Sequence, residues 1–188
     1  ERQTFVRNLE GFERNPGGSF SVLRVQFHNL AYKLALWTWL EGESTAQTNF
    51  GDVEQIPGCS SGAALVSSTR IAKQYYVEYD TRVRDYGEQE VWISARIPKG
   101  LQQNLAANVG GARLTANQEG VGSYGAGFAW YRMGLARLSG PRAKIRIEID
   151  APSGADIAID AVLMVTPGFR PSGVTPPQPM VFKPTPKR

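Results

Sequence analysis

Apolar and polar residues alternate along much of the chain. "SFSVLRVQF" (19–27), "YYVEYDTRV" (75–83), "EQEVWISARI" (88–97) and "AKIRIEID" (143–150) each place apolar side chains at every second position. That is the period of a strand with one face in a core and one in water. "DIAIDAVLMV" (156–165) is a denser apolar run, the signature of a strand covered on both faces. No window sustains the i, i+3, i+4, i+7 stripe of an amphipathic helix. Turn-forming clusters such as "NPGG", "DYG", "PKG", "NVGG", "SGP" and "APSG" separate the runs. Short strands at this spacing predict an all-β fold, an antiparallel β-sandwich. Residues 75–97 read as a hairpin around "RDYGE", and residues 130–150 as a second one turning at "SGP". The polar stretch between them, Lys99 to Gly127, reads as a long loop in which "ARLTA" is a short strand.

Three regions follow. Residues 1–36 form a strand-rich N-terminal segment, either extra strands of the sandwich or the remnant of a preceding module. Residues 37–168 form the sandwich. Residues 169–188, including "RPSGVTPPQPMVFKPTPKR", form a proline-rich extended tail that cannot pair as a central strand.

Composition narrows the function. With 41% apolar and 20% charged residues in 188, the chain is globular and large enough to bury a core. The net charge of +4 comes from scattered basic residues, with denser stretches only at 132–146 and 183–188. That lacks the stripe of a nucleic-acid binder. The longest apolar run, "LAYKLALWTWL" (30–40), contains Lys33 and is too short to cross a bilayer, so no membrane insertion is expected. The chain opens on Glu1 in a polar segment, as expected of a mature form or an excised fragment. Cys59, the single cysteine, precludes an intrachain disulfide, a CxxC redox pair and a multi-cysteine zinc site. His28, the single histidine, lies in the strand-like "VQFHNL" with no acid or nucleophile beside it, and reads as a packing residue.

The candidate chemistry sits in "WLEGESTAQTNFG" (39–51). Residues two apart on a strand share a face, so Glu41 and Glu43 can aim at one point. Asp160 lies in "IAID", near the end of the core, and the first and last strands of a sandwich commonly run side by side. Three carboxylates brought together require a cation, because like charges repel. A catalytic acid pair and two solvated acids at a strand end are the alternatives.

"WLEGES", "YYVEYDTRVRDYGEQEVWISARI", "GFAWYRMGLARLSGPRAKIRIEID" and "IAIDAVLMV", in this order, resemble the calcium-dependent, galactose-binding-like jelly-roll modules of carbohydrate-binding families six and thirty-five. The resemblance covers about Trp37 to Gly168 and rests on the Glu-x-Glu opening, the strand–turn–strand middle and the closing Ile-Asp strand. It implies a structural Ca2+ held by Glu41, Glu43 and Asp160 with carbonyls near Ser60 to Gly62. It also implies a polysaccharide or oligosaccharide partner. The families' platform aromatic points to Tyr124 or Trp130, with Phe50 a further loop aromatic. A flat ring with a few polar groups is what a sugar needs. Ala158 stands where those families often carry Asn, so Asn49 or Asp156 would have to supply the polar partner. Trp37, Trp39 and Trp92 read as core, and for Trp130 a core place at a strand start is the alternative to a platform.

The leading expectation is a non-catalytic carbohydrate-binding module of a secreted or extracellular bacterial polysaccharide-active protein, with neighbouring domains or subunits as further partners. The alternative is a structural subunit of an extracellular fibre or envelope assembly that exchanges strands or tails with its neighbours. A single histidine and the lack of a nucleophile motif argue against an enzyme.

Overall fold

The computed structural model describes residues 37–67, 70–83 and 86–177. The strands expected over residues 1–36, His28 and the end of the tail lie outside them. Twelve strands follow in order: β1 (Trp37–Glu41), β2 (Gln47–Thr48), β3 (Gly51–Gln55), β4 (Ala63–Ser67), β5 (Lys73–Arg82), β6 (Gly87–Arg96), β7 (Leu105–Val109), β8 (Ala112–Thr115), β9 (Val121–Tyr124), β10 (Phe128–Leu138), β11 (Arg142–Ala151) and β12 (Ala158–Val165). The described residues contain no α-helix, only short 3-10 turns at Ser60–Gly62 and Gln102–Asn104.

The strands form two antiparallel sheets. One has seven strands in the order β3-β4-β12-β6-β10-β9, with β1 also pairing β12. The other has five, in the order β2-β5-β11-β7-β8. Alternation explains the layering. Tyr75, Val77 and Tyr79 of β5 and Ile145, Ile147 and Ile149 of β11 face Val91, Ile93 and Ala95 of β6 and Val162 and Met164 of β12. Their polar neighbours on β5 and β11 point outward, so the five-stranded sheet keeps an open, polar outer face.

The two expected hairpins are not hairpins. β5 pairs β2 and β11, whereas β6 pairs β12 and β10 in the opposite sheet. β10 and β11 are split in the same way. Each short connection is an arch from one sheet to the other, and the Val83 N–H donates to the Pro141 carbonyl at 2.9 Å, tying the two arches together. Alternation specifies that each strand has one apolar face. Arching sets two such faces against each other across the core, whereas a hairpin sets them side by side.

The seven-stranded sheet is covered on its outer face too. Trp92, Trp130, Leu163, Val165 and Phe169 form a second apolar cluster there, with Trp37 and Trp39 packed against it. Trp92 and Trp130 are buried and Trp37 and Trp39 half-buried, all outside the inter-sheet core. The cluster extends past the expected domain boundary at residue 168. Phe169 and Pro171 are buried, the Trp130 indole donates to the Gly173 carbonyl at 3.1 Å, and the Gly168 N–H donates to the Glu90 carboxylate at 2.8 Å. Residues 169–177 thus strap the tryptophan face, and Pro177 is itself buried.

Candidate metal and ligand site

β12 carries the site. Its whole length pairs with β6 on one side, with a register shift between Ile159 and Ala161. On the other side Ala158 and Ile159 pair β4, whereas Ala161 to Val165 pair β1. Asp160 stands at this fork. Before it, Ile157 and Ile159 face the inter-sheet core; after it, Val162 and Met164 do. The shift is a bulge, which re-aims a side chain. Here it directs Asp160 away from the inter-sheet core, to the junction of β1, β4 and the turn Ser60–Gly62.

Asp160 is fully buried. Its Oδ1 accepts the Ser60 backbone N–H at 2.9 Å, and its Oδ2 accepts the Tyr124 hydroxyl, which also bonds to the Ser94 hydroxyl. Its pKa is pushed up to about 6 in all: burial raises it most, the Tyr124 and Ser60 donors lower it, and the charges of Glu41 and Glu43 raise it further. Burial also raises the Tyr124 phenol and the Cys59 thiol, the latter to about 12 with Asp160 adding to the rise. Cys59 is thus held as an inert thiol.

The two glutamates leave β1 around Gly42. The Gly42 N–H donates to the Asp160 carbonyl at 2.7 Å, and the buried Tyr79 hydroxyl donates to the Gly42 carbonyl at 2.9 Å. A Cβ on residue 42 would lie 2.1 Å from the Ile159 carbonyl oxygen, so only glycine lets β1 close onto β12 here. Glu41 Oε1 accepts the Trp39 indole N–H at 3.0 Å, and Glu43 Oε1 accepts the Ser61 hydroxyl at 2.5 Å. Ser61 makes that contact with a backbone φ of +51°, a conformation few side-chain-bearing residues adopt. Glu41 Oε2 and Glu43 Oε2 are buried with no hydrogen-bond partner. Buried carboxylate oxygens are seldom left so, because the lost hydration is uncompensated.

The structure therefore brings Glu41, Glu43, Asp160 and the Ser60–Gly62 turn into one neighbourhood. No group of three or more His, Cys, Asp and Glu side chains among the described residues is gathered as a metal centre. Both Asp160 oxygens are engaged by Ser60 and Tyr124. A hard cation takes oxygen ligands, carboxylate and carbonyl alike. The donor chemistry and the two partnerless oxygens suit such an ion, and Asp160 would join them only by giving up its phenol.

The other expected ligand residues do not converge. Tyr124 is half-buried, its ring stacked on Phe128 at 6.0 Å and its hydroxyl committed to Asp160. Trp130 is 1% exposed, edge-on to Trp39 at 5.4 Å, and offers no face to a ligand. Phe50 is likewise 1% exposed and packs on Tyr75 in the inter-sheet core. Both rings pack: Phe50 was expected to face a ligand, whereas for Trp130 a core place was one of the two readings. Asn49 receives the Tyr76 N–H at 2.7 Å and donates to the Gln74 carbonyl at 3.0 Å, extending the β2 edge of the five-stranded sheet. Asp156 pairs with Arg96 at 3.1 Å and Arg70 at 3.6 Å. Ser94 and Tyr79 were not singled out from sequence, and Ser60 was expected to offer its carbonyl, whereas its backbone N–H is what meets Asp160. Ser94, a lone hydroxyl inside the apolar run of β6, was the available signal.

The sandwich is similar to part of a Paenibacillus xanthan lyase, with a TM-score of 0.51 and 17% identity over 69% of this chain and 13% of the lyase. It is also similar to part of an exo-β-1,3-galactanase from Phanerochaete chrysosporium, with a TM-score of 0.50 and 16% identity over 68% of this chain and 29% of the enzyme. A carbohydrate-binding module of family 36 in complex with calcium and xylotriose aligns with 68% of this chain and 98% of its own, at a TM-score of 0.43 and 11% identity. At these identities the likeness is one of fold. No family model matches the chain, and no curated protein matches it.

Proposed function

We propose that residues 37–177 form a non-catalytic carbohydrate-binding module in which one calcium ion ties β1 and the Ser60–Gly62 turn to β12. The buried, partnerless oxygens of Glu41 and Glu43 beside Asp160 carry the reading. An ion there would supply both with the partner they lack and offset the repulsion among three acids. Glu41, Glu43 and Asp160 would hold it, with backbone carbonyls of the turn. The acids hold strands together, which leaves none of them to act on a substrate. Occurrence of the same sandwich within a xanthan lyase and an exo-β-1,3-galactanase supports a glycan partner. A polysaccharide ligand and a calcium tie both suit a secreted or extracellular setting, beside other domains.

Melting with and without calcium, together with affinity electrophoresis through soluble polysaccharides, tests the proposal. A hundredfold excess of calcium over its dissociation constant adds about 2.7 kcal/mol to the folded state. For a domain of this size that raises the melting temperature by roughly 5–10 °C. The doubly substituted Glu41→Gln, Glu43→Gln chain should lose that response, and at least one polysaccharide should retard the native chain. Melting indifferent to both chelator and calcium overturns the metal site. Free migration through every polysaccharide overturns the glycan partner.

A further inference from the structure

The tryptophan face and the strap across it form a pair that the acid cluster does not use. Residues 169–177 belong to no strand, so their backbone joins no ladder. They lie on aromatic surface instead. Phe169 packs with Trp92 and Trp130, and the Gly173 carbonyl accepts the Trp130 indole N–H at 3.1 Å. The Pro171 carbonyl oxygen stands 3.6 Å from where a Cβ on Gly122 of β9 would be, so the strap backbone runs against that strand. Phe169 and Pro171 are buried, whereas Arg170 and Ser172 are exposed, so alternate residues face the sheet.

Proline and tryptophan suit each other for physical reasons. Pro171, Pro176 and Pro177 lack an N–H and hold φ at about −65°, close to polyproline II. A chain of that kind makes no internal hydrogen bonds and loses little freedom on docking, and aromatic-lined grooves recognise it. Tryptophan supplies both an apolar ring and an N–H for a carbonyl. Trp130 uses both here. The Trp92 indole nitrogen, in the same cluster, is buried with no hydrogen-bond partner among the described residues, so the face holds one more donor than the strap takes up.

We propose that the tryptophan face is a groove for proline-rich chain, filled in each copy by its own residues 169–177 and open to the same segment of a second copy. Three observations favour a second copy as the occupant. The strap's contacts are with Trp92 of β6, Gly122 of β9 and Trp130 of β10, none of them its neighbour in sequence, so a partner's strap makes the same contacts and exchange forfeits none. The strap leaves β12 through Gly168, whose φ is +91° and whose added Cβ would meet nothing within 4 Å, so the chain has room to turn another way. Residues 37–177 carry nearly equal numbers of acidic and basic side chains, so two copies approach without net repulsion. The resident strap competes at an effective concentration of about a millimolar, which sets the chain concentration at which exchange becomes populated.

A fluorescent peptide of residues 166–177, titrated with the native chain and with the Phe169→Ala chain, tests the groove. It should bind the Phe169→Ala chain about tenfold or more tighter than the native one, whose groove is already filled. Trp130→Phe in that background should weaken binding by about tenfold, the scale of one lost hydrogen bond. The Trp92 and Trp130 indole NMR signals of the native chain, followed with peptide at about a millimolar, give the same answer without a variant. Sedimentation equilibrium of the native chain at about a millimolar should show a dimer that the chain ending at Gly168 does not form. Absence of peptide binding, with both indole signals unmoved, overturns the groove. Equal affinity for a peptide with alanine at 171, 176 and 177 overturns the proline-rich assignment. A native chain that stays monomeric while the peptide binds, or a dimer that survives loss of the strap, overturns exchange between copies; the first of these leaves the groove to a proline-rich segment of another protein.

Discussion

Gly42→Ala is the sharpest perturbation of the β1–β12 seam. Its added Cβ would sit 2.1 Å from the Ile159 carbonyl oxygen and 2.7 Å from the carbonyl carbon, where real Cβ atoms stay beyond 3.0 Å. The obstacle is backbone in a fully buried strand, so no side chain can swing aside. β1 must retreat by the 0.9 Å that separates 2.1 from 3.0. The retreat stretches two buried bonds at once, Gly42 N–H to Asp160 at 2.7 Å and the Tyr79 hydroxyl to Gly42 at 2.9 Å. A buried polar group left unpaired costs about 1–3 kcal/mol, and the narrower unfolded ensemble of alanine returns roughly 0.4–1 kcal/mol. The net loss is about 1–5.5 kcal/mol, which for a domain of this size lowers the melting temperature by roughly 3–20 °C. Gly140→Ala is the control, because no atom lies within 4 Å of its added Cβ. Differential scanning calorimetry of both variants in calcium and in chelator is the assay. If Gly42→Ala melts within about 2 °C of Gly140→Ala, the close approach of β1 to β12 is not what holds this seam.

A chain ending at Pro177 should melt as the full chain does, whereas one ending at Gly168 should melt roughly 5–10 °C lower. The shorter chain forfeits Phe169, worth about 1.5–3 kcal/mol buried, and leaves the Trp130 indole without its Gly173 acceptor. Equal melting of the two would show that the strap adds nothing. Tyr124→Phe keeps the stack on Phe128 but removes a donor from buried Asp160, so in chelator it should cost about 1–3 kcal/mol with glycan affinity unchanged. A loss of affinity with native melting would instead make the Tyr124 hydroxyl a direct sugar contact. Glu148 is held below its usual 4.5 by hydrogen bonds from Arg146 and Arg113. Its folded pKa is therefore the lower one, so the pair stabilises above the unfolded value and that contribution fades as pH falls through the folded one. Urea midpoints of the Arg113→Ala, Arg146→Ala chain should fall below native ones at pH 7 and converge with them in acid; a pH-independent gap would contradict the pairing.

Strand positions were legible because alternation reports a half-buried pleat, and β5, β6, β11 and β12 lie where their patterns end. Partnership was not legible. Identical alternation serves a hairpin and an arch, and the choice between them is made by the other sheet. β3 escaped notice because all five of its residues are exposed, and β7 because "LAANV" hides among polar neighbours. The acid cluster was half-readable. Glu41 and Glu43 share a face by period, and Asp160 is conspicuous in an apolar run. The bulge that turns Asp160 toward them follows from a change of partner strand, which no local window records. Tyr124 and Trp130 were read from the family resemblance as ring faces, but their hydroxyl and indole N–H meet Asp160 and the Gly173 carbonyl. The proline-rich strap was misplaced for a similar reason. Proline prevents pairing in a ladder but not packing against tryptophan.

The pairing of Trp37 with Val165 has a mechanical meaning. Residues 1–36 lead into β1 at the same end of the sandwich from which residues 166–177 lead out of β12. Tension between them peels the strap away and then opens the β1–β12 seam like a zip, one rung at a time, from Trp37 toward Glu41. Strands sheared along their length resist with all their rungs together; strands unzipped from one end do not. The first strong stop on this path is the fork at Asp160, where Gly42, the Ser60 turn and Tyr124 are tied to one residue. An ion there would set the force at which the domain gives way, so single-molecule pulling in calcium and in chelator should differ at that rung and at none before it.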